Sequence, residues 1–218
     1  MLRLLFEKTG TAVWISHLDL MRLFQRAFKR AGLPLTHTQG FNPRPSVSIA
    51  LPLSVGVESR CELLDFELDG ITIDLCEIRD RLNACLVSGV KVNTVYDMGR
   101  KLKELRYLDS EVELIYDHGV PENAPEEIHQ LFQRDSLIVP KKSKNGPQDQ
   151  DVIPMIRQIN IFDTKNKITL CARICCQNPS LNPAQLAAAV SLYLPHLAPD
   201  HAICRRIELL DEAGEIFR

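Results

Sequence analysis

Residues 16–34 read SHLDLMRLFQRAFKRAGLP. Leu20, Leu23, Phe24, Ala27, Phe28 and Ala31 recur at helical spacing and form one apolar stripe. Arg22, Arg26, Lys29 and Arg30 form a second, basic stripe. Ser16 is a good N-cap, Asp19 stands at the capping-box position, and Gly32 with Pro34 stops the helix. This amphipathic helix fixes the frame for its neighbours. LRLLFEKTG before it reads as a strand, and TAVWIS as strand or extended chain leading into the cap.

Downstream, VSIALPLSVGVES reads as strand, break and strand, and CELLDFELD (61–69) alternates as a partner strand. A second amphipathic helix opens near Asp74 and runs to about Ser88-Gly89, and KVNTVYDM closes as a strand. The succession β-α-β-β-α-β is the ferredoxin-like arrangement. GRKLKELRYLD (99–109) has few core positions and reads as a short bridging helix. EVELIYDH, APEEIHQLFQRD and LIVPKKSK then read as strand, helix and strand, and NGPQDQD as a polar turn. At least two strands surround the DTKNK turn, NPAQLAAAVSLYL is a helix opened by Asn182-Pro183, and AICRRIELLDE is the last strand. The expectation is an α+β chain of two ferredoxin-like halves packed in tandem, 1–98 and 110–218.

The 218 residues hold no apolar run of the roughly 18–20 needed to span a bilayer, and MLRLLFEKTG lacks the apolar region of a secretory signal. The seven cysteines are odd in number and sit mostly in apolar runs, which fits reduced, buried thiols in a cytoplasmic protein. Cys171, Cys175 and Cys176 lie on a strand, with Cys176 on the opposite face from the other two. No zinc-type spacing is present, so no metal or iron–sulfur site and no cofactor is expected.

Net charge is −2, yet residues 1–60 hold eight Lys/Arg against three Asp/Glu, a net of +5. Such asymmetry suggests a basic face for an anionic partner. Three constellations stand out. At the helix start, His17 lies in the first turn beside free backbone N–H groups and is a candidate base, hydrogen-bond partner or stacking group; Asp19 is placed to pair with it or to bond the Ser16 amide. The bland alternative is a cap in which His17 only packs. The basic stripe Arg22, Arg26, Lys29 and Arg30 suits phosphates or an acidic protein surface, and equally an ordinary solvent face.

Third is THTQGFNPRPSVS (36–48). Phe41 suits stacking on a base, and Gln39, Asn42 and Arg44 suit base edges or phosphate. Gly40 supplies a positive φ, while Pro43 and Pro45 pre-shape the loop. Alternatively Phe41 plugs the sheet and the prolines align the next strand. Lys141-Lys142-Ser143-Lys144 reads as a basic hairpin-like tip and a second anion contact. P-loop, G-x-G-x-x-G, G-x-S-x-G and H-E-x-x-H signatures are missing.

Residues 3–68, with K-T-G, SHLDL, AGLP, QGFNP, ALPLSVG and ELLD, closely resemble the start of the DUF2344 family. The likeness is looser through VPKKSKNGPQDQDVIPMI. Arg44 stands where many members carry His, so a role needing that imidazole has no residue here. The resemblance implies a companion of radical SAM proteins, in gene neighbourhoods that point to RNA. The chain has no C-x3-C-x2-C, so it is not itself the radical SAM catalyst. The function this implies is a non-catalytic module that binds RNA, of tRNA or rRNA type, and presents it to a partner radical SAM enzyme. Two other readings stand beside it: a metal-independent nuclease similar to CRISPR endoribonucleases, with His17 as acid or base, and an adaptor whose basic face docks an acidic protein.

Overall fold

A computed structural model describes residues 1–70, 72–97, 99–143 and 146–218. It has a mixed α+β architecture with four α-helices among the described residues. The chain divides into two compact units, Met1–Leu102 with Arg218, and Lys103–Phe217.

The first unit opens with β1 (Leu2–Lys8), a 3-10 turn at Gly10–Trp14, and α1 (His17–Arg30). Then come β2 (Val47–Ile49), β3 (Glu58–Phe66), α2 (Leu75–Asn83) and β4 (Val90–Asp97). β1 lies antiparallel between β3 and β4, and β2 pairs with β3, which gives the order β4-β1-β3-β2. Alternation along β1 and β3 sends Leu4, Phe6, Leu64 and Phe66 toward the helices, where the apolar stripe of α1 meets them. Phe24 packs edge-on against Phe6 at 4.8 Å between ring centroids, and Phe28 lies tilted against Phe66 at 4.9 Å. From α2, Ile78 and Leu82 join the same core.

A 3-10 turn at Leu102–Glu104 ends as β5 (Leu105–Ile115) of the second unit begins. There follow α3 (Ala124–Phe132), β6 (Ile138–Ser143) and β7 (Gly146–Asp151). β8 (Ile156–Thr164), β9 (Lys167–Cys175), α4 (Ala184–Tyr193) and β10 (His201–Asp211) complete it. Their antiparallel pairings give the order β10-β5-β9-β8, and β6 and β7 form a separate two-stranded ribbon. Leu108, Val112 and Leu114 of β5 and Ile168, Leu170 and Ile174 of β9 are buried at alternate positions, as are Ile128 and Leu131 of α3 and Leu186 and Val190 of α4.

Five expectations change. The second strand of VSIALPLSVGVES and the strand read in CELLDFELD are one strand, β3, which begins just after the turn at Gly56 (φ +83°). TAVWIS is not extended: Gly10, at φ +55°, turns the chain into a 3-10 helix whose carbonyls are gathered by Lys8. The second helix stops at Asn83, because that side chain is committed to the backbone of β4, donating to Val92 O (2.9 Å) and accepting from Val92 N (2.8 Å). Residues 99–109 hold a 3-10 turn rather than a bridging helix, since Leu105 and Leu108 are buried on the strand β5. NGPQDQD is largely strand β7, not a turn: both strands of a two-stranded ribbon are edges, where Gly and Pro are tolerated. Of the basic tip, Lys141 donates to Ser180 O (3.1 Å), while Lys144, with Asn145, lies outside the described residues. Met98 of KVNTVYDM also lies outside them.

Candidate functional site

The site begins with a buried cation. Lys8 is fully buried, and its ammonium donates to Val13 O (3.1 Å) and Ile15 O (2.8 Å). Gly56 N donates to Val13 O (2.9 Å) from the other side, and Thr9 N donates to Gly89 O (2.7 Å). The 3-10 turn is thereby held by its backbone and by the buried Ala12 and Val13, which leaves Trp14 facing outward. Trp14 is 71% exposed, with its ring beside Gly56. Leu18 (66%) and Val55 (53%) are also exposed hydrophobics.

The cap of α1 forms as a network around Asp19. Ser16 Oγ accepts from Asp19 N (3.2 Å) and donates to Asp19 Oδ2 (2.8 Å). Arg22 Nη1 donates to Asp19 Oδ1 (3.0 Å). The Ser16 hydroxyl, then the Arg22 guanidinium, hold the Asp19 carboxyl below the usual carboxylate range. Asp19 therefore meets the Ser16 side chain. His17 is half-buried, and its Nδ1 is buried without a hydrogen-bond partner among the described residues.

The outer face of α1 carries Leu18, Arg22, Gln25, Arg26 and Lys29, spaced three and four apart. Arg22, Arg26 and Lys29 are exposed. Arg26 and Lys29 make no hydrogen bond or ion pair among the described residues, whereas Arg30 donates to Cys85 O (2.6 Å). The N-terminal surplus of bases is thus not all surface. Arg3 and Lys8 are buried, and Arg3 is paired with Asp65.

The loop after α1 stands on a small hairpin base. Thr38 N donates to Arg44 O (2.8 Å), Arg44 N to Thr38 Oγ1 (3.0 Å) and Ser46 N to Thr36 O (2.7 Å). His37 bridges Pro45, and Thr36 N donates to Glu67 O (2.9 Å). This base presents Gln39, Gly40, Phe41, Asn42 and Arg44 as an exposed tip. Gly40 takes φ +135°. Phe41 is fully exposed and does not plug the sheet.

Where the hairpin base meets α1 lies a groove of about 510 Å³. Its walls are Phe28, Leu33, Pro34, Leu35 and Pro45, and Gln25, Lys29 and His37 add polar groups. The groove therefore joins the loop to the second half of α1. His17 lies about 16 Å from Phe28 along the helix axis, at 1.5 Å per residue. The loop base and the SHLDL turn stand at opposite ends of one exposed helix face.

The family model DUF2344, described as an uncharacterized protein conserved in bacteria, matches residues 1–183. The chain belongs to the DUF2344 family. No curated protein matches it. A crystal structure of an unknown protein from Galdieria sulphuraria is 11% identical, over 94% of this chain and 96% of its own, with a TM-score of 0.27. A score that low carries no argument about fold.

Three residues of this DUF2344 surface escaped the sequence reading: Trp14, Gln25 and His37. Leu18 also escaped it, although its place off the buried stripe of α1 was a usable signal. Trp14 sits in a stretch that reads as strand, and the groove depends on a bridge between residues 37 and 45 that no local pattern reports. The cysteines are free thiols, four of them buried and Cys76 exposed. Among the described residues no group of His, Cys, Asp or Glu is arranged to hold a metal ion, and no helix is long and apolar enough to cross a membrane.

Proposed function

We propose that this DUF2344 chain is a non-catalytic RNA-binding module that presents an RNA, of tRNA or rRNA type, to a partner radical SAM enzyme in the cytoplasm. One observation carries the RNA part. Arg22, Arg26 and Lys29 stand in solvent along one helix face, with the exposed aromatics Trp14 before the helix and Phe41 after it. Cations in a row neutralise successive phosphates, and exposed rings stack on unpaired bases. The radical SAM partner rests on the family resemblance alone. The reading of each half as ferredoxin-like is supported by the strand orders β4-β1-β3-β2 and β10-β5-β9-β8, each with two helices between its strands.

An endoribonuclease built on His17 needs an imidazole oriented by a second group. The buried Nδ1 has no such partner among the described residues, which favours binding over cleavage. Anisotropy of a labelled single-stranded RNA across a salt series tests the proposal, with Arg22→Glu/Arg26→Glu as the control. Binding at low salt that the double variant loses supports it, and absent binding overturns it. Incubating labelled RNA with wild type and His17→Ala separates the rival: cleavage that depends on His17 would replace the binding module by a nuclease.

A further inference from the structure

We infer that the groove between α1 and the hairpin base seats one unpaired purine nucleotide of the bound RNA, with Gln25 reading the base edge. The inference rests on the RNA-binding reading and extends it to a specific subsite. Size is the first argument. About 510 Å³ lies within the range of small-ligand sites, roughly 300–1,000 Å³. The walls are the second. Pro34, Leu35 and Pro45, over a floor of the buried Phe28 and Leu33, give apolar surface on which the face of a base loses water without losing hydrogen bonds.

The polar groups are the third. Gln25, Lys29 and His37 line the groove, and none of these side chains makes a hydrogen bond among the described residues. A Gln amide offers a donor and an acceptor side by side, the pair that matches adenine N6 and N7. Lys29 lies one turn beyond Gln25, Arg26 next to it and Arg22 about one turn before it, so the cations continue from the groove along the helix. This charge complementarity selects an anionic chain carrying a base over an apolar peptide. The floor is also pre-shaped. Leu35 bridges Leu68 and His37 bridges Pro45, while Leu33 N donates to Phe28 O (2.9 Å), so little order is lost on binding.

The test is fluorescence anisotropy with labelled oligoadenylate, oligouridylate and an abasic oligomer of equal length. Gln25→Ala keeps helix propensity and changes no buried contact. It is expected to weaken oligoadenylate about fivefold or more while moving the other two by less than about twofold. Leu35→Trp, which fills the groove, is expected to do the same, and circular dichroism checks that both variants fold. Gln25→Ala losses that are equal for all three oligomers, or no loss at all while Arg22→Glu/Arg26→Glu still abolishes binding, overturn the purine seat and leave the module's function standing. No binding of any oligomer to wild type overturns both.

Discussion

The Arg3 guanidinium, with no exposure to solvent, is held by both carboxylate oxygens of Asp65 on the neighbouring strand. Its Nη1 also donates to Arg100 O (3.0 Å). A buried charge is tolerated only while its partners are present. Asp65→Ala strands the guanidinium and is expected to cost about 3–5 kcal/mol in urea unfolding. A loss under about 1 kcal/mol would show that the pair is not the anchor described.

The 3-10 turn that presents Trp14 depends on Gly89. That residue has φ +85°, and a methyl group on it would lie 2.4 Å from Thr9 O and 2.9 Å from Ala12 Cβ. Both neighbours are fixed, so Gly89→Ala is expected to destabilise by about 2–4 kcal/mol. Gly40→Ala, in open space at φ +135°, is expected to cost about 1 kcal/mol from backbone strain alone. Thermal unfolding of the two variants compares them directly.

Burial pushes the Cys176 thiol up to about 12 and the Cys204 thiol up to about 11, whereas Cys76 is exposed on α2. At mildly alkaline pH the native chain should alkylate at Cys76, with Cys176 and Cys204 reacting only on unfolding. Mass spectrometry of iodoacetamide-treated protein reads this out. The linkage has a definite sign. The unfolded thiols ionise near their ordinary value of 9.0 and the folded ones do not, so these two groups lower stability as pH rises above it.

Trp14 is the chain's single tryptophan and is 71% exposed, so its fluorescence reports on the proposed surface. Single-stranded RNA is expected to quench it. Trp14→Ala and Phe41→Ala should each weaken RNA binding by about 1–3 kcal/mol, the usual worth of one stacked base. Unchanged emission at saturating RNA would remove Trp14 from the interface.

What could be read from the sequence follows from what is local. The helix α1 was legible because its apolar stripe, Ser16 cap and Gly32 stop are written within 17 residues. The strand β1 was legible as a short apolar run ended by Lys-Thr-Gly, and β4, β8, β9 and β10 as apolar runs set off by turn residues. Burial of like-looking charges was not. Arg3 and Lys8 enter the same count as Arg22 and Arg26, and only Asp65 and the carbonyls of Val13 and Ile15 reveal which bases are internal. The exposure of Trp14 was hidden for the same reason, since Gly56 and Gly89 act on its turn from far along the chain. The groove needed residues 25 and 45 side by side.

On the proposed reading the α1 face binds RNA through Arg22, Arg26 and Lys29. Anisotropy of a labelled single-stranded RNA against salt, for wild type and Arg22→Glu/Arg26→Glu, tests it most directly. About three neutralised phosphates on a single strand give a log–log slope near −2, or roughly a fifteenfold loss between about 50 and about 200 mM salt. Wild type is expected to show that slope, and the double variant a weaker affinity with a flatter slope. No binding by wild type at low salt, or equal affinity and slope in the two proteins, would contradict it.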